Sequence, residues 1–182
     1  MRDLSKYKSL REQVAGIYPQ VQPVEGDRDE LIARTEQAFF FSMINIYAQG
    51  MHLLSKASEQ YRYELKPAEI ARIWRAGCII RSAFLKDIYK AYESNKDLAH
   101  LLLDPSIAGM VRECEAGARE LTGMAIKAGL SLPAYASALC YFDAIRSKRM
   151  PSNLIQAQRD YFGAHTYELI GKEGVFHTVW HS

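Results

Sequence analysis

Asp27-Arg28-Asp29-Glu30 opens a long stretch that Phe39-Phe40-Phe41-Ser42-Met43-Ile44-Asn45-Ile46-Tyr47 continues. It runs to about Tyr61 with no proline and one glycine, Gly50. Asp27 followed three residues later by Glu30 resembles a capping box, in which a side-chain oxygen takes up an orphan first-turn N–H. Phe39, Phe40, Phe41, Met43, Ile44, Ile46 and Tyr47 are apolar almost all the way round. A helix of that kind is central and buried on most sides. About 33 residues at ~1.5 Å each span roughly 50 Å, more than one ordinary domain diameter. A helix that long can also serve a second subunit.

The flanking sequence is helical too. Leu4, Tyr7, Leu10 and Val14 suggest a short helix in residues 1–14, and Gly16, Pro19, Pro23 and Gly26 mark a connecting loop. Pro67 suits a first helical position, and the helix it opens is expected to end at Gly77. The next is expected near Ile79 to Glu93, with Ile80, Phe84, Ile88 and Tyr92 on one face. A short helix, 98–103, follows. Asp104-Pro105 then caps a helix of about 23 residues that ends at Gly129, with Ile107, Met110, Val111, Cys114, Leu121 and Met124 as its buried stripe. Ser131 to Ser147 holds one more, with Tyr135, Leu139, Phe142 and Ile145 inward. No stretch alternates in the manner of a strand. The expectation is all-α: a helical bundle with one long buried central helix and an extended C-terminal tail. It is read as a single domain over 1–182, with an N-terminal segment and loop (1–26), a helical core (27–167) and a tail (168–182) anchored by Val175, Phe176 and Trp180.

Composition excludes several functions. With 182 residues, 48% apolar and 24% charged, the chain can bury a real core. A net charge of +2 leaves no nucleic-acid or membrane footprint. No apolar run reaches the ~20 residues of a membrane span. Cys78, Cys114 and Cys140 lack metal-type spacing and suit free buried thiols in a reducing cytosol, so a cytoplasmic location is expected. His52, His100, His177 and His181 show no ligand spacing, and no metal is expected. Arg72, Arg75 and Arg81 form a basic group that ion pairs with Glu69 and Asp87 would explain.

The chemistry concentrates in Pro151 to Tyr167. Pro151 stops a preceding helix, and Ser152 or Asn153 can cap the next one. Leu154, Ile155, Gln158, Tyr161 and Phe162 recur at helical steps and are expected to pack inward. Gly163 suits the left-handed residue that ends a helix. Arg159 precedes that end by one turn, and His165 follows it. A guanidinium fork beside an imidazole suits an oxyanion, phosphate best.

The order Leu154-Ile155-Gln156-Ala157-Gln158-Arg159-Asp160-Tyr161-Phe162-Gly163-Ala164-His165-Thr166-Tyr167 resembles the C-terminal signature of the decarboxylating 6-phosphogluconate dehydrogenases. Ile46-Tyr47-Ala48-Gln49-Gly50, Arg75-Ala76-Gly77-Cys78-Ile79-Ile80-Arg81 and Gly174-Val175-Phe176-His177-Thr178 resemble the same family at the expected separations. The resemblance implies substrate-binding roles for Arg159 and His165, which in the family reach 6-phosphogluconate across a homodimer interface. It implies the same for Arg2, in a segment resembling the one that supplies a phosphate arginine. No catalytic residue is expected in this chain, because the family's lysine–glutamate pair precedes the region seen here. The dinucleotide fingerprint Gly-x-Gly-x-x-Gly is not in the sequence either. The implied identity is the helical C-terminal domain without its N-terminal nucleotide-binding domain, either an excised piece or separately encoded. NADP would then be bound mainly by that other domain, with no cofactor residue assigned here. The whole enzyme would belong to the pentose phosphate pathway and gluconate use, and the isolated chain would be inactive. The alternative is a stand-alone, non-catalytic module for dimerisation or phosphosugar binding. Val179 stands where the family often has an acid, which leaves the tail's contacts to a cofactor phosphate open.

Overall fold

A computed structural model describes residues 2–19 and 21–180, without the side chain of Arg2. Its elements are a 3-10 turn Arg2–Lys6, α1 (Lys8–Ala15), α2 (Arg28–Tyr61), α3 (Pro67–Ile73), α4 (Leu85–Ser94), a 3-10 turn Leu101–Leu103, α5 (Pro105–Lys127), α6 (Pro133–Ile145), α7 (Asn153–Gly163), β1 (Tyr167–Glu168) and β2 (Val175–Phe176). The all-α expectation holds, relieved only by a two-residue antiparallel ladder that pairs Tyr167 with Phe176. The chain divides into two compact units, 1–142 and 143–182, the boundary falling in the last turn of α6.

The first unit is built on α2, 34 residues long. Asp27 accepts hydrogen bonds from the N–H groups of Asp29 and Glu30, both at 3.0 Å, so the predicted aspartate caps its helix, toward N2 and N3. The main partner of α2 is α5, which Asp104 caps in the same way through Ser106 and Ile107. Where the two helices meet, Gly117 has no room for a side chain: a Cβ would lie 2.9 Å from that of Gln37. Phe41, Ile44, Ala48 and Met51 from α2 join Ile107, Val111 and Ala118 from α5, and Leu85, Ile88 and Tyr92 from α4, in one core. Phe41 meets Phe142 of α6 edge to face at 5.2 Å.

Four expectations need correction. Phe39 and Ile46 stand exposed, and with Ile32 and Leu53 they form a stripe at seven-residue steps along α2. Only part of the helix surface faces the core, because α5, α3 and α4 cannot enclose a 34-residue cylinder. Secondly, α3 ends at Ile73 and α4 starts only at Leu85. Gly77 is left-handed in the loop between them, and Ser82 Oγ accepts from the Phe84 N–H at 3.2 Å, a local side-chain bond that competes with helix upstream. Ile79 is 100% exposed, and the carbonyl of Ile80 accepts from the Tyr47 hydroxyl. Thirdly, Ile145 is exposed at the end of α6. Lastly, Cys114 is buried and Cys78 half-buried, but Cys140 is exposed, so all three are free thiols and only one is a core residue.

Among the described residues no group of His, Cys, Asp and Glu could hold a metal, and no helix is long and apolar enough to cross a membrane. Of the basic group, Arg72 pairs with Glu69 at 2.6 Å as expected, while Asp87 turns to Lys90 at 3.9 Å. His100 is buried, its Nε2 2.8 Å from the Tyr141 hydroxyl and its Nδ1 accepting from the Leu102 N–H at 3.2 Å.

Candidate functional site

The second unit is organised by a residue that periodicity did not single out. Asp160, on α7, is fully buried and surrounded by donors. Its Oδ1 accepts from the Thr166 N–H at 3.0 Å and lies 2.9 Å from His177 Nδ1. Its Oδ2 accepts from the Thr178 N–H at 3.0 Å and from the Trp180 indole N–H at 2.9 Å. Burial by itself raises the carboxyl pKa, but these four bonds outweigh it and hold the group well below the usual carboxylate range. An ionised carboxylate only accepts, so His177 must carry its proton on Nδ1.

The tail is therefore tied down locally, through Asp160. The Trp180 ring meets Tyr161 edge to face at 5.9 Å, and the Tyr167 and Thr178 hydroxyls share a hydrogen bond. Phe176 is half-buried, while Val175 is exposed and anchors nothing.

The helix end also differs from the expectation. Neither Ser152 nor Asn153 caps α7 through its side chain: Ser152 is the cap residue without a side-chain cap bond, and its carbonyl accepts from the Gln156 N–H at 2.9 Å while its own N–H donates to the Met150 carbonyl at 2.8 Å. Gly163 is the last helical residue, and the left-handed position falls on Ala164, φ 51°, with Thr166 left-handed as well at φ 60°. The role of Gly163 is space. A Cβ there would lie 2.9 Å from His165 Nε2, so the imidazole sits over the bare glycine. The apolar residues of α7 do not pack inward within this chain: Leu154 is 82% and Phe162 74% exposed, with Ile155 and Tyr161 exposed too. The turn that faces inward is built on Asp160 and the half-buried Gln156 and Ala157.

Arg159 and His165 both stand exposed at the C-terminal end of α7. The only hydrogen bond of Arg159 among the described residues runs from Nη1 to Gln156 Oε1, 3.3 Å, and no carboxylate pairs with it. Gln156 also donates through Nε2 to the Thr166 carbonyl, so one amide links the arginine to the residue after His165. Guanidinium nitrogens that meet no acid remain available to an incoming anion. Arg2 begins the first 3-10 turn, in the other unit, and its side chain lies outside the described residues. His181 lies outside them too. Beside the N-terminal half of α7 a cavity of about 560 Å³ is lined by Asn153, Gln156, Tyr167, Thr178 and Trp180 among others, with neither Arg159 nor His165 on its wall.

One signal in the sequence could have pointed to Asp160. An acid in the last turn of a helix opposes the helix dipole, and it is tolerated when something else satisfies it. What satisfies it here lies 6 to 20 residues downstream, at no regular spacing.

The family model for the C-terminal domain of 6-phosphogluconate dehydrogenase matches residues 1–180. An NADP(+)-dependent, decarboxylating 6-phosphogluconate dehydrogenase of Bacillus subtilis is 45% identical over 181 residues, 98% of this chain and 39% of that protein. A decarboxylating 6-phosphogluconate dehydrogenase of Escherichia coli is 47% identical over 162 residues, 89% of this chain and 34% of the relative. Among solved structures, the Plasmodium falciparum 6-phosphogluconate dehydrogenase superposes with a TM-score of 0.89 at 37% identity, over 98% of this chain and 39% of its own. That protein is known apo, with its cofactor NADP+ and with its substrate 6-phosphogluconate. The chain thus spans about two-fifths of the length of the relatives it matches. An all-α chain with the signature run Leu154 to Tyr167 on α7 and its following turn, matched almost end to end, belongs to the 6-phosphogluconate dehydrogenase C-terminal domain family.

Proposed function

We propose that this chain is the substrate-clamping and dimer-forming part of an NADP-dependent 6-phosphogluconate dehydrogenase. The whole enzyme oxidises C3 of 6-phosphogluconate, releases CO2 and yields ribulose 5-phosphate, with NADP as hydride acceptor. Arg159 and His165 bind the substrate phosphate, and Arg2 of a second copy completes the clamp. A separate nucleotide-binding domain holds the cofactor and supplies the acid and base, and the assembly works in the cytoplasm. One observation carries this reading: Arg159 is exposed and pairs with no acid among the described residues, at the same exposed end of α7 as His165, in a chain of this family. Two cations and an imidazole can neutralise a phosphate dianion through charge-assisted hydrogen bonds. The carbonyl end of α7 would repel an anion by itself, so the side chains must supply the attraction.

The test uses the chain joined to its nucleotide-binding domain. Arg159→Ala weakens 6-phosphogluconate binding by about 1.5–3 kcal/mol, the usual worth of a hydrogen bond to a charged group. The loss falls on the substrate KM and leaves nicotinamide affinity nearly unchanged. Arg159→Lys recovers only part of it, since an ammonium cannot make the bidentate contact. Unchanged KM and kcat in Arg159→Ala would remove Arg159 from the clamp.

A further inference from the structure

His165 stands between two left-handed residues, Ala164 and Thr166, a backbone path that side-chain-bearing residues rarely adopt. Something must hold it there, and most of the bonds run to one residue. The Ala164 N–H donates to the main-chain oxygen of Asp160 at 2.9 Å, and the Thr166 N–H donates to its carboxylate at 3.0 Å. Thr166 is held on its carbonyl side as well, by Gln156. The residue bearing the imidazole is thus fastened on both flanks, with its ring over Gly163.

The same carboxylate also fastens the C-terminal segment. His177 shares Oδ1 with Thr166, and Thr178 and Trp180 share Oδ2. Four donors converge on one buried anion, and all of them are lost or weakened together if it moves. We propose that Asp160 is the positioning residue of the phosphate clamp and that it couples the segment 177–180 to the geometry of His165. Docking of Thr178 and Trp180 on Oδ2 fixes the carboxylate plane, and that plane sets where Oδ1 holds Thr166 and hence where His165 points. The inference rests on the clamp reading above for its ligand but not for its geometry.

The coupling is testable on this chain. Trp180→Phe keeps an aromatic ring and removes one donor. Asp160→Asn keeps the shape but places an NH2 group against two of the donors, since an amide accepts on one side only. The readout of position is the ring-current shift that the His165 imidazole imposes on the Gly163 Hα protons, recorded by NMR on the folded population. The readout of function is titration with inorganic phosphate and with 6-phosphogluconate. Both variants are expected to move the Gly163 and His165 signals toward free-chain values. Both are also expected to weaken phosphate binding about tenfold, short of the roughly hundredfold that a misplacement of about 1 Å can cost. Arg159→Ala should weaken binding while leaving those signals in place. Gly163 and His165 signals in Trp180→Phe and Asp160→Asn that match the parent would overturn the coupling, and so would displaced signals with unchanged affinity. If the parent chain binds neither ligand, the clamp reading fails, and the Gly163 signature still decides the coupling. If Asp160→Asn does not fold, Trp180→Phe decides it.

Discussion

Two buried ionisable residues give the molecule separate pH limits. Burial, reinforced by the His52 ring 5.2 Å away, lowers the pKa of His100. The neutral ring suits its surroundings, because Nδ1 must stay bare to accept the Leu102 N–H. A base whose folded pKa lies below the unfolded value of about 6.5 loses stability as pH falls through and below that value. Thermal melting of the first unit should therefore drop between neutral pH and pH 5, and His100→Gln should flatten that slope. Asp160 sets the second limit. Its folded pKa is depressed, so its contribution is complete above the unfolded value of about 3.9 and is lost only as pH falls below it. With Trp74→Phe leaving Trp180 as the sole indole, emission should stay constant down to about pH 4 and then shift to the red as the segment is released. A red shift already complete at pH 5 would contradict the ionised Asp160.

At the scale of elements, caps and close approaches decide where helices begin and meet. Asp104 satisfies two first-turn donors of α5, so Asp104→Ala should cost about 1 kcal/mol. A 1 kcal/mol loss in a unit of this size lowers Tm by roughly 2–4 °C. The α2–α5 contact is tighter. A methyl at Gly117 would meet Gln37 Oε1 at 1.9 Å and Gln37 Cβ at 2.9 Å. Gly117→Ala should destabilise by about 1–3 kcal/mol despite its better helix propensity, because overpacking outweighs it. Gln37→Ala should restore part of that, since it removes the amide but not the Cβ. Chemical denaturation of the two single variants and the double variant measures the recovery.

For the whole molecule, the apolar residues divide between a buried core and an exposed surface. Phe41, fully buried on α2, belongs to the core, and Phe41→Ala should cost about 3–5 kcal/mol. Ile32, Phe39, Ile46 and Leu53 on the same helix are exposed at seven-residue steps, and Leu154 and Phe162 are exposed on α7. Apolar surface of that extent suits an obligate interface, which buries more than ~2,000 Å². The chain should sediment as a dimer at micromolar concentration. Phe39→Glu with Ile46→Glu should shift it to monomer while retaining helix content, and a purely monomeric parent chain would argue against dimerisation.

What could be read along the chain was whatever depends on near neighbours. The caps Asp27 and Asp104, the proline starts at 67 and 105, and the 3.6-residue stripe of α5 all follow from bonds and contacts within one or two turns. The signature around Arg159 and His165 was legible as an ordered string, and with it the family. Tertiary structure alone decided which face of α2 is core, since that depends on how much of a cylinder α5 can cover. It alone placed the left-handed turn on Ala164 rather than Gly163, leaving the glycine to make room for an imidazole. It alone made Asp160 the centre of the second unit, because the donors that keep a buried carboxylate charged come from residues as far along as Trp180. Local sequence specifies helices through short-range hydrogen bonds and periodicity, whereas the burial of a charge is settled only when distant donors meet it.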